Sequence, residues 1–305
     1  MNNSDELTTL SNQMADAVER IAKSLVTVNG RERQSATGIV IANELVLTAD
    51  HVVERDDNLT VAVANGTKLA AQLIGRDPST DLAVLRVAGL AAEPASRSSA
   101  SPDAPARVGQ LVLAVGLPGE DGLAGPMASS GVVSAIGGPL RGNGVNLERY
   151  IRTDATPYPG FSGGPLVDAA GAVLGVLTTA LARGATLAIP IAIALRVADT
   201  LTKQGTLKRG YLGVISQQVK LPPNQRGGQS QEHGLLVMRV EEASPAEQGG
   251  VLMGDILVSI DGQAVTNADD LLALLTGERV GKPVSLGVIR GGNLQSVSVM
   301  VGERK

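Results

Sequence analysis

From Ser24 to about Val197 the chain is a succession of short apolar runs broken by turn residues, and no other feature limits its fold so strongly. The runs Leu25–Val28, Gly38–Ile41, Leu59–Ala64, Lys68–Ile74, Leu82–Val87, Gln110–Val115, Gly131–Ile136, Pro165–Val167 and Val173–Thr178 are too short for buried helices. Asn65-Gly66 between two of them signals a hairpin, because both turn positions of the favoured type take positive φ. Strands at this spacing, with almost no helical periodicity, predict a sandwich or barrel, so the chain is read as mainly β. A Pro-, Ser- and Ala-rich break at 91–106 reads as a linker between two β halves.

Helical spacing appears at two places around this region. Leu7, Leu10, Met14, Val18, Ile21 and Leu25 recur at steps of three and four and predict an amphipathic helix over residues 5–25, packed on its own domain. Pro190–Gln204 has the same periodicity. After Gly205 a second unit begins, a small α+β module. Its strands are expected at Leu212–Ile215, Leu235–Val240, Ile256–Ile260, Val284–Ile289 and Ser296–Val301. Its helices are expected at Ser244–Gln248, capped by Ser244 with Pro245 in the first turn, and at Asn267–Leu275.

Composition removes several function classes. With 26 Lys+Arg against 30 Asp+Glu and no basic block, nucleic-acid binding by counterion release is not expected. No cysteine is present, which excludes disulfides, thiolate metal sites and a cysteine nucleophile. Two histidines, His51 and His233, are too few for a multi-histidine metal centre, and no phosphate-cradling Gly-x-x-x-x-Gly-Lys motif occurs. No cofactor is expected. The uncharged stretch Gly122–Leu140 contains five glycines and two prolines, so no transmembrane helix is expected there. Residues 1–11 lack an apolar segment. If Met1 is the native start the expectation is a cytoplasmic protein; if a leader has been removed it is a periplasmic one.

Three segments carry chemistry in combination. In Leu45–Val53 an apolar strand runs into a turn holding His51, the one histidine of the N-terminal unit. In Asp77–Val87, Asp81 opens an apolar strand, where a buried carboxylate needs donors such as an imidazole N–H. In Gly160-Phe161-Ser162-Gly163-Gly164-Pro165, glycines flank a serine on a tight bend, where backbone amides can approach a substrate carbonyl. A serine needs a base to take its proton and a carboxylate to orient that base. The order His51…Asp81…Ser162 is that of chymotrypsin-like double-barrel proteases, with the site expected in the cleft between the barrels.

The stretches LVLTADHVV, DPSTDLAVLRV, ASSGVVSAIGG, YIRTDATPYPGFSGGPLVD and TLAIPI resemble the HtrA/Deg family of trypsin-fold serine proteases, over about residues 24–304. The resemblance implies an N-terminal helical segment at 1–23, a trypsin-like domain of two β-barrels at 24–203 and a PDZ domain at 208–304. It implies His51 as general base, Asp81 as its orienter and Ser162 as nucleophile. The amides of Gly160 and Ser162 would form an oxyanion hole, and Thr186, Leu187, Ala188 and Ile189 would line an apolar specificity pocket. Tyr211, Leu212, Gly213 and Val214 would form the carboxylate-binding loop of the PDZ domain, which takes peptide C-termini. The implied function is ATP-independent endoproteolysis of unfolded or damaged proteins in quality control, in a homotrimer. The alternative is a catalytically silent peptide-binding or chaperone scaffold on the same fold.

Two departures bear on that reading. Relatives usually carry asparagine where this chain has Phe161, and often where it has Tyr158, so the two rings either cover an activation loop or fill a local pocket. Asp50 stands where relatives usually carry alanine, and a carboxylate close to an imidazole favours its protonated form.

Overall fold

The computed structural model describes residues 3–96, 106–119, 125–142, 145–181, 184–205, 210–228, 230–275 and 279–303. It divides into two compact units, residues 1–140 with 145–206, and residues 141–144 with 207–305. Most of the expected 91–106 linker, residues 97–105, lies outside the described residues.

Helix α1 (Asn3–Ala22) opens the first unit, with Asp5 and Glu6 in its first turn and Arg20 in its last, the charge order that a helix dipole favours. Ala17 and Ile21 are buried and Arg20 Nε donates to the Ala170 carbonyl at 3.2 Å, whereas Leu7 is exposed. Leu25, the last member of the expected helical series, instead starts the first strand. The chain turns at Ser24, whose amide bonds Ile21 O at 2.9 Å.

Six strands close the first barrel: β1 (Leu25–Asn29), β2 (Ala36–Ala42), β3 (Leu45–Thr48), β4 (Leu59–Ala62), β5 (Lys68–Asp77) and β6 (Leu82–Arg86), in the order β1-β2-β3-β6-β5-β4. The hairpin joining β4 to β5 is present, with Ala62 opposite Lys68, but only Gly66 takes positive φ (83°). Asn65 acts through its side chain, accepting the Thr67 amide at 2.9 Å. Val26, Val28, Val40, Val46, Leu59, Val61 and Leu85 fill the barrel.

A second closed barrel comprises β7 (Leu111–Gly116), β8 (Met127–Gly137), β9 (Tyr150–Thr153), β10 (Pro165–Asp168), β11 (Val173–Thr178) and β12 (Thr186–Pro190), ordered β9-β12-β11-β10-β7-β8. β9 was not foreseen, because only Ile151 and Thr153 of its four residues face inward. Helix α2 (Ile191–Gln204) packs on β5 and β6 of the first barrel and on β11 and β12 of the second. Two buried hydroxyls stitch the barrels together: Thr27 Oγ1 donates to Leu117 O, and Thr37 Oγ1 accepts the Leu117 amide, both at 2.8 Å.

The second unit is built on an antiparallel sheet in the order β13-β14-β15-β16-β17, formed by β13 (Val214–Lys220), β14 (His233–Val240), β15 (Ile256–Ile260), β16 (Pro283–Arg290) and β17 (Asn293–Met300). Helix α3 (Pro245–Gln248) begins at its expected cap, and α4 (Ala268–Leu274) begins one residue after Asn267, the expected first residue, which caps it. Ser244 Oγ accepts the Glu247 amide, and Asn267 Oδ1 accepts the amides of Asp269 and Asp270. The first strand starts two residues later than expected. Leu212 is buried and its carbonyl accepts the Ala246 amide, so it cannot join the ladder. No helix among the described residues is long and apolar enough to cross a membrane.

Asp255 anchors this unit. Its buried carboxylate accepts Arg290 Nε and Nη2, each at 2.7 Å, and the Leu252 amide at 2.8 Å. Burial pushes its pKa up, but the Arg290 and Leu252 hydrogen bonds and the guanidinium charge outweigh burial and leave it below the ordinary value. The stabilisation is therefore complete above the unfolded carboxylate pKa of about 3.9 and is lost as pH falls through the lower folded value. Thermal melts of Asp255→Asn should show a lower Tm than the wild type at pH 7, with the gap closing below about pH 4.

Candidate active site

The turn from β5 to β6 is shaped by its own polar side chains. Asp77 accepts the Ser79 amide and hydroxyl through Oδ1 and the Thr80 hydroxyl through Oδ2. The chain leaves this turn with Asp81 at φ 57°, a left-handed conformation that aspartate tolerates better than most side chains. Asp81 is 3% exposed. Its carboxylate accepts the His51 amide at 2.9 Å and faces His51 Nδ1 at 2.8 Å through Oδ2 and 3.0 Å through Oδ1. A third donor comes from the other barrel, Thr178 Oγ1 at the end of β11. The sequence placed Thr178 in a strand but gave no sign of this role.

His51 lies in a single 3-10 turn (Asp50–Val52) directly after β3. Its main chain is fixed by the carboxylate bond and by Arg31 Nη2, which donates to His51 O at 2.9 Å. Asp50 does not act on the imidazole as an isolated charge: its carboxylate lies 3.2 Å from Arg76 Nε. Arg76 also reaches Asp56 Oδ1 at 3.2 Å and donates to Val53 O at 2.5 Å, so the second carboxylate at this turn is neutralised by a guanidinium.

Ser162 sits in the bend before β10, held against the first barrel. Thr37 N donates to Ser162 O at 3.2 Å, Thr37 Oγ1 to Gly160 O at 2.7 Å, and Thr48 Oγ1 to Thr37 O at 2.8 Å. Gly163, at φ 84°, fits because a Cβ there would collide with Thr48 Oγ1 at the end of β3, the strand that delivers His51. The serine, imidazole and carboxylate segments thus meet at one face. The Ser162 hydroxyl lies 3.2 Å from Thr179 Oγ1, and among the described residues this is its hydrogen bond, in place of one to His51.

The amides of this bend fall into two sets. Phe161 N, Gly163 N and Gly164 N are satisfied by Tyr158 O, Leu177 O and Phe161 O at 3.1, 2.9 and 2.9 Å. The amides of Gly160 and Ser162 have no protein acceptor among the described residues. Two unpaired donors therefore flank the hydroxyl, an arrangement that can receive an oxyanion.

Phe161 does not lie over the serine. It is fully buried in the second barrel, against Gly116, and Tyr158, 42% exposed, meets its ring edge-on at 5.5 Å. Of the four residues expected in a specificity pocket, Ala188 and Ile189 are fully buried and Leu187 is 3% exposed, because β12 is an inner strand of the barrel. Thr186 borders a cavity of about 420 Å³ whose wall includes Arg152, Asp154 and Thr156, so its lining is more polar than the expected aliphatic slot.

In the second unit, Leu212 and Gly213 likewise carry amides without a protein acceptor among the described residues, ahead of β13, with Gly213 at φ 79°. Their carbonyls are tied down, Leu212 O by Ala246 N and Gly213 O by Glu241 N, each at 2.8 Å. Tyr211 donates its hydroxyl to Glu241 Oε2. Val214 opens β13 opposite Val240.

Residues 36–176 match the trypsin-like peptidase domain family and residues 210–301 the PDZ domain family. An HtrA-type protease, AlgW, solved with a tripeptide, superposes with a TM-score of 0.67 at 31% identity, covering 96% of this chain and 97% of that one. The chain belongs to the HtrA-type protease family. The serine endoprotease from Yersinia pestis superposes on this HtrA-type chain with a TM-score of 0.70 at 27% identity, over 96% and 98% of the two chains. A probable periplasmic serine endoprotease, DegP-like, from Pseudomonas fluorescens is 36% identical over 280 residues, and one from Halomonas elongata 34% over 283. These alignments take in 89% and 90% of this chain but 57% and 58% of the relatives, so the chain spans little more than half their length.

Those relatives are named periplasmic, which overturns the cytoplasmic expectation. Residues 3–11 of the segment on which that expectation rested belong to helix α1, whose far end packs into the first unit.

Replacing the one phenylalanine tests the packing of the bend. Phe161→Ala should lower the unfolding free energy of the first unit by about 3–5 kcal/mol in denaturant titrations.

Proposed function

We propose that this chain is an ATP-independent serine endopeptidase of protein quality control, acting on unfolded or damaged proteins. The observation that carries this reading is the buried Asp81 carboxylate on His51 Nδ1, beside a serine flanked by two unpaired amides. In this reading Asp81 fixes the imidazole tautomer, and His51 Nε2 takes the proton from Ser162 Oγ once the hydroxyl turns from Thr179. The oxygen attacks the substrate carbonyl, and the Gly160 and Ser162 amides receive the negative charge, each worth about 3 kcal/mol in the transition state. His51 then gives its proton to the leaving amine, and water hydrolyses the acyl-enzyme by the same route reversed.

The second unit, in the same proposal, binds peptide C-termini. The amides of Leu212 and Gly213 take the terminal carboxylate, Tyr211 and Val214 frame that loop, and the peptide extends β13. AlgW has been solved with a decapeptide as well as a tripeptide, which supports a peptide-binding reading for this chain.

β-Casein hydrolysis tests the first part. The wild type should degrade it and Ser162→Ala should lose about three orders of magnitude or more of the rate; equal behaviour would favour a silent scaffold. Fluorescence titration tests the second. Amidating the C-terminus of a bound peptide should weaken its affinity about tenfold or more, the value of one to two charge-assisted hydrogen bonds.

A further inference from the structure

A cavity of about 470 Å³ beside the His51 turn takes no part in the steps above. Its walls are residues 30–34, the connection from β1 to β2, together with Glu54 and Arg55, which follow the turn carrying His51. Three guanidinium groups, those of Arg31, Arg33 and Arg55, line it with two carboxylates, Glu32 and Glu54. Arg31 is committed: Nη2 bonds His51 O at 2.9 Å and Nε lies 3.4 Å from Glu54 Oε1, which uses the Glu54 charge. Among the described residues Arg55 reaches only a backbone carbonyl, Asn29 O at 3.3 Å, and its Nε is buried without a hydrogen-bond partner. Arg33 is exposed and forms no ion pair or hydrogen bond among the described residues. Among the described residues the cavity wall therefore carries two cationic side chains that no carboxylate pairs, Arg33 and Arg55, against one such acidic side chain, Glu32.

The chemistry of the site says which part of a substrate passes here. Thr178 bonds the Asp81 carboxylate and Thr179 Oγ1 lies 3.2 Å from Ser162 Oγ, while the 30–35 loop reaches the serine bend at Ser35 O, which lies against Gly160. The protonated imidazole hands its proton to the departing amine, so the segment bearing that amine leaves on the imidazole side. Arg31 ties the cavity to the main chain of His51 itself. An extended peptide advances about 3.3 Å per residue, so the second and third residues past the cleaved bond lie roughly 7–10 Å beyond it.

We propose that the cavity is a subsite for an acidic side chain on the leaving-group side of the cleaved bond, with Arg33 and Arg55 as its specificity-determining residues. The proposal rests on the endopeptidase reading. Guanidinium groups suit this task, since a planar fork meets a carboxylate with two parallel hydrogen bonds and keeps its charge at every working pH. The same face disfavours lysine and arginine in the substrate by like-charge repulsion.

The test compares three internally quenched peptides identical except for Glu, Gln or Lys at the second and third positions after the cleaved bond. The expected order of kcat/KM is Glu above Gln above Lys, with Glu over Lys about tenfold at low salt and less as salt screens the exposed Arg33. Arg33→Glu, a change on an exposed loop residue, should reverse the order. Equal rates for the three peptides, or an order that survives in Arg33→Glu, would overturn the subsite and leave the endopeptidase reading standing. Failure to cleave any of the three, by wild type and Ser162→Ala alike, would overturn the endopeptidase reading and the subsite with it.

Discussion

The Asp81 carboxylate is the interaction on which the protease unit depends. An ionised carboxylate at 3% exposure is tolerable only if its oxygens are met by donors, and here they come from both halves of the unit. His51 supplies its amide and ring nitrogen from the turn after β3, and Thr178 supplies a hydroxyl from the end of β11. One buried charge thus ties two barrels whose cores are separate, and ties them at the point where the chemistry is proposed to occur. Its donors also set the direction of the imidazole: with Nδ1 occupied, Nε2 remains the nitrogen available to the serine.

Around that charge the fold uses small residues and hydroxyls where other chains would use aromatic bulk. The chain has four aromatic residues in 305, and the one phenylalanine fills the second barrel. Valines, leucines and alanines fill the rest, and threonines cross from barrel to barrel with hydrogen bonds in place of ring contacts. Thr27, Thr37 and Thr178 each satisfy a buried backbone or carboxylate partner in this way, and Thr48 does so within the first barrel. The approach of Gly163 to Thr48 belongs to the same design, because a side chain there would push the serine bend away from the strand that delivers the histidine.

The two units share a pattern at the serine bend and at the loop before β13. In the serine bend and in the loop before β13, carbonyls are tied inward while two amides are left unpaired. Backbone donors held in place by their neighbours' hydrogen bonds need no reorganisation when charge arrives, which is the physical basis of the proposed roles, an oxyanion site in one unit and a carboxylate site in the other. At the edge of the serine site the chain departs from this economy, and guanidinium groups take over where the leaving segment is proposed to run.

The sequence by itself determined the β architecture, because short apolar runs between turn residues leave a chain no helical alternative. It also determined which side chains could form the catalytic set, since only one histidine stands in the N-terminal unit and one serine is framed by glycines. The caps of α3 and α4 were equally local, being hydrogen bonds within three residues. What the tertiary structure decided concerns partners distant in the chain. It placed Thr178 on Asp81 across 97 residues, gave Asp50 to Arg76, and drew Leu25 out of the helix and into a barrel strand. It turned Phe161 into the core and buried Ala188 and Ile189, so that neither the rings over the serine nor the aliphatic slot appeared. Periodicity and turn chemistry are properties of neighbouring residues, whereas burial and charge pairing depend on which surfaces the closed barrels bring together, and no window of sequence contains that choice.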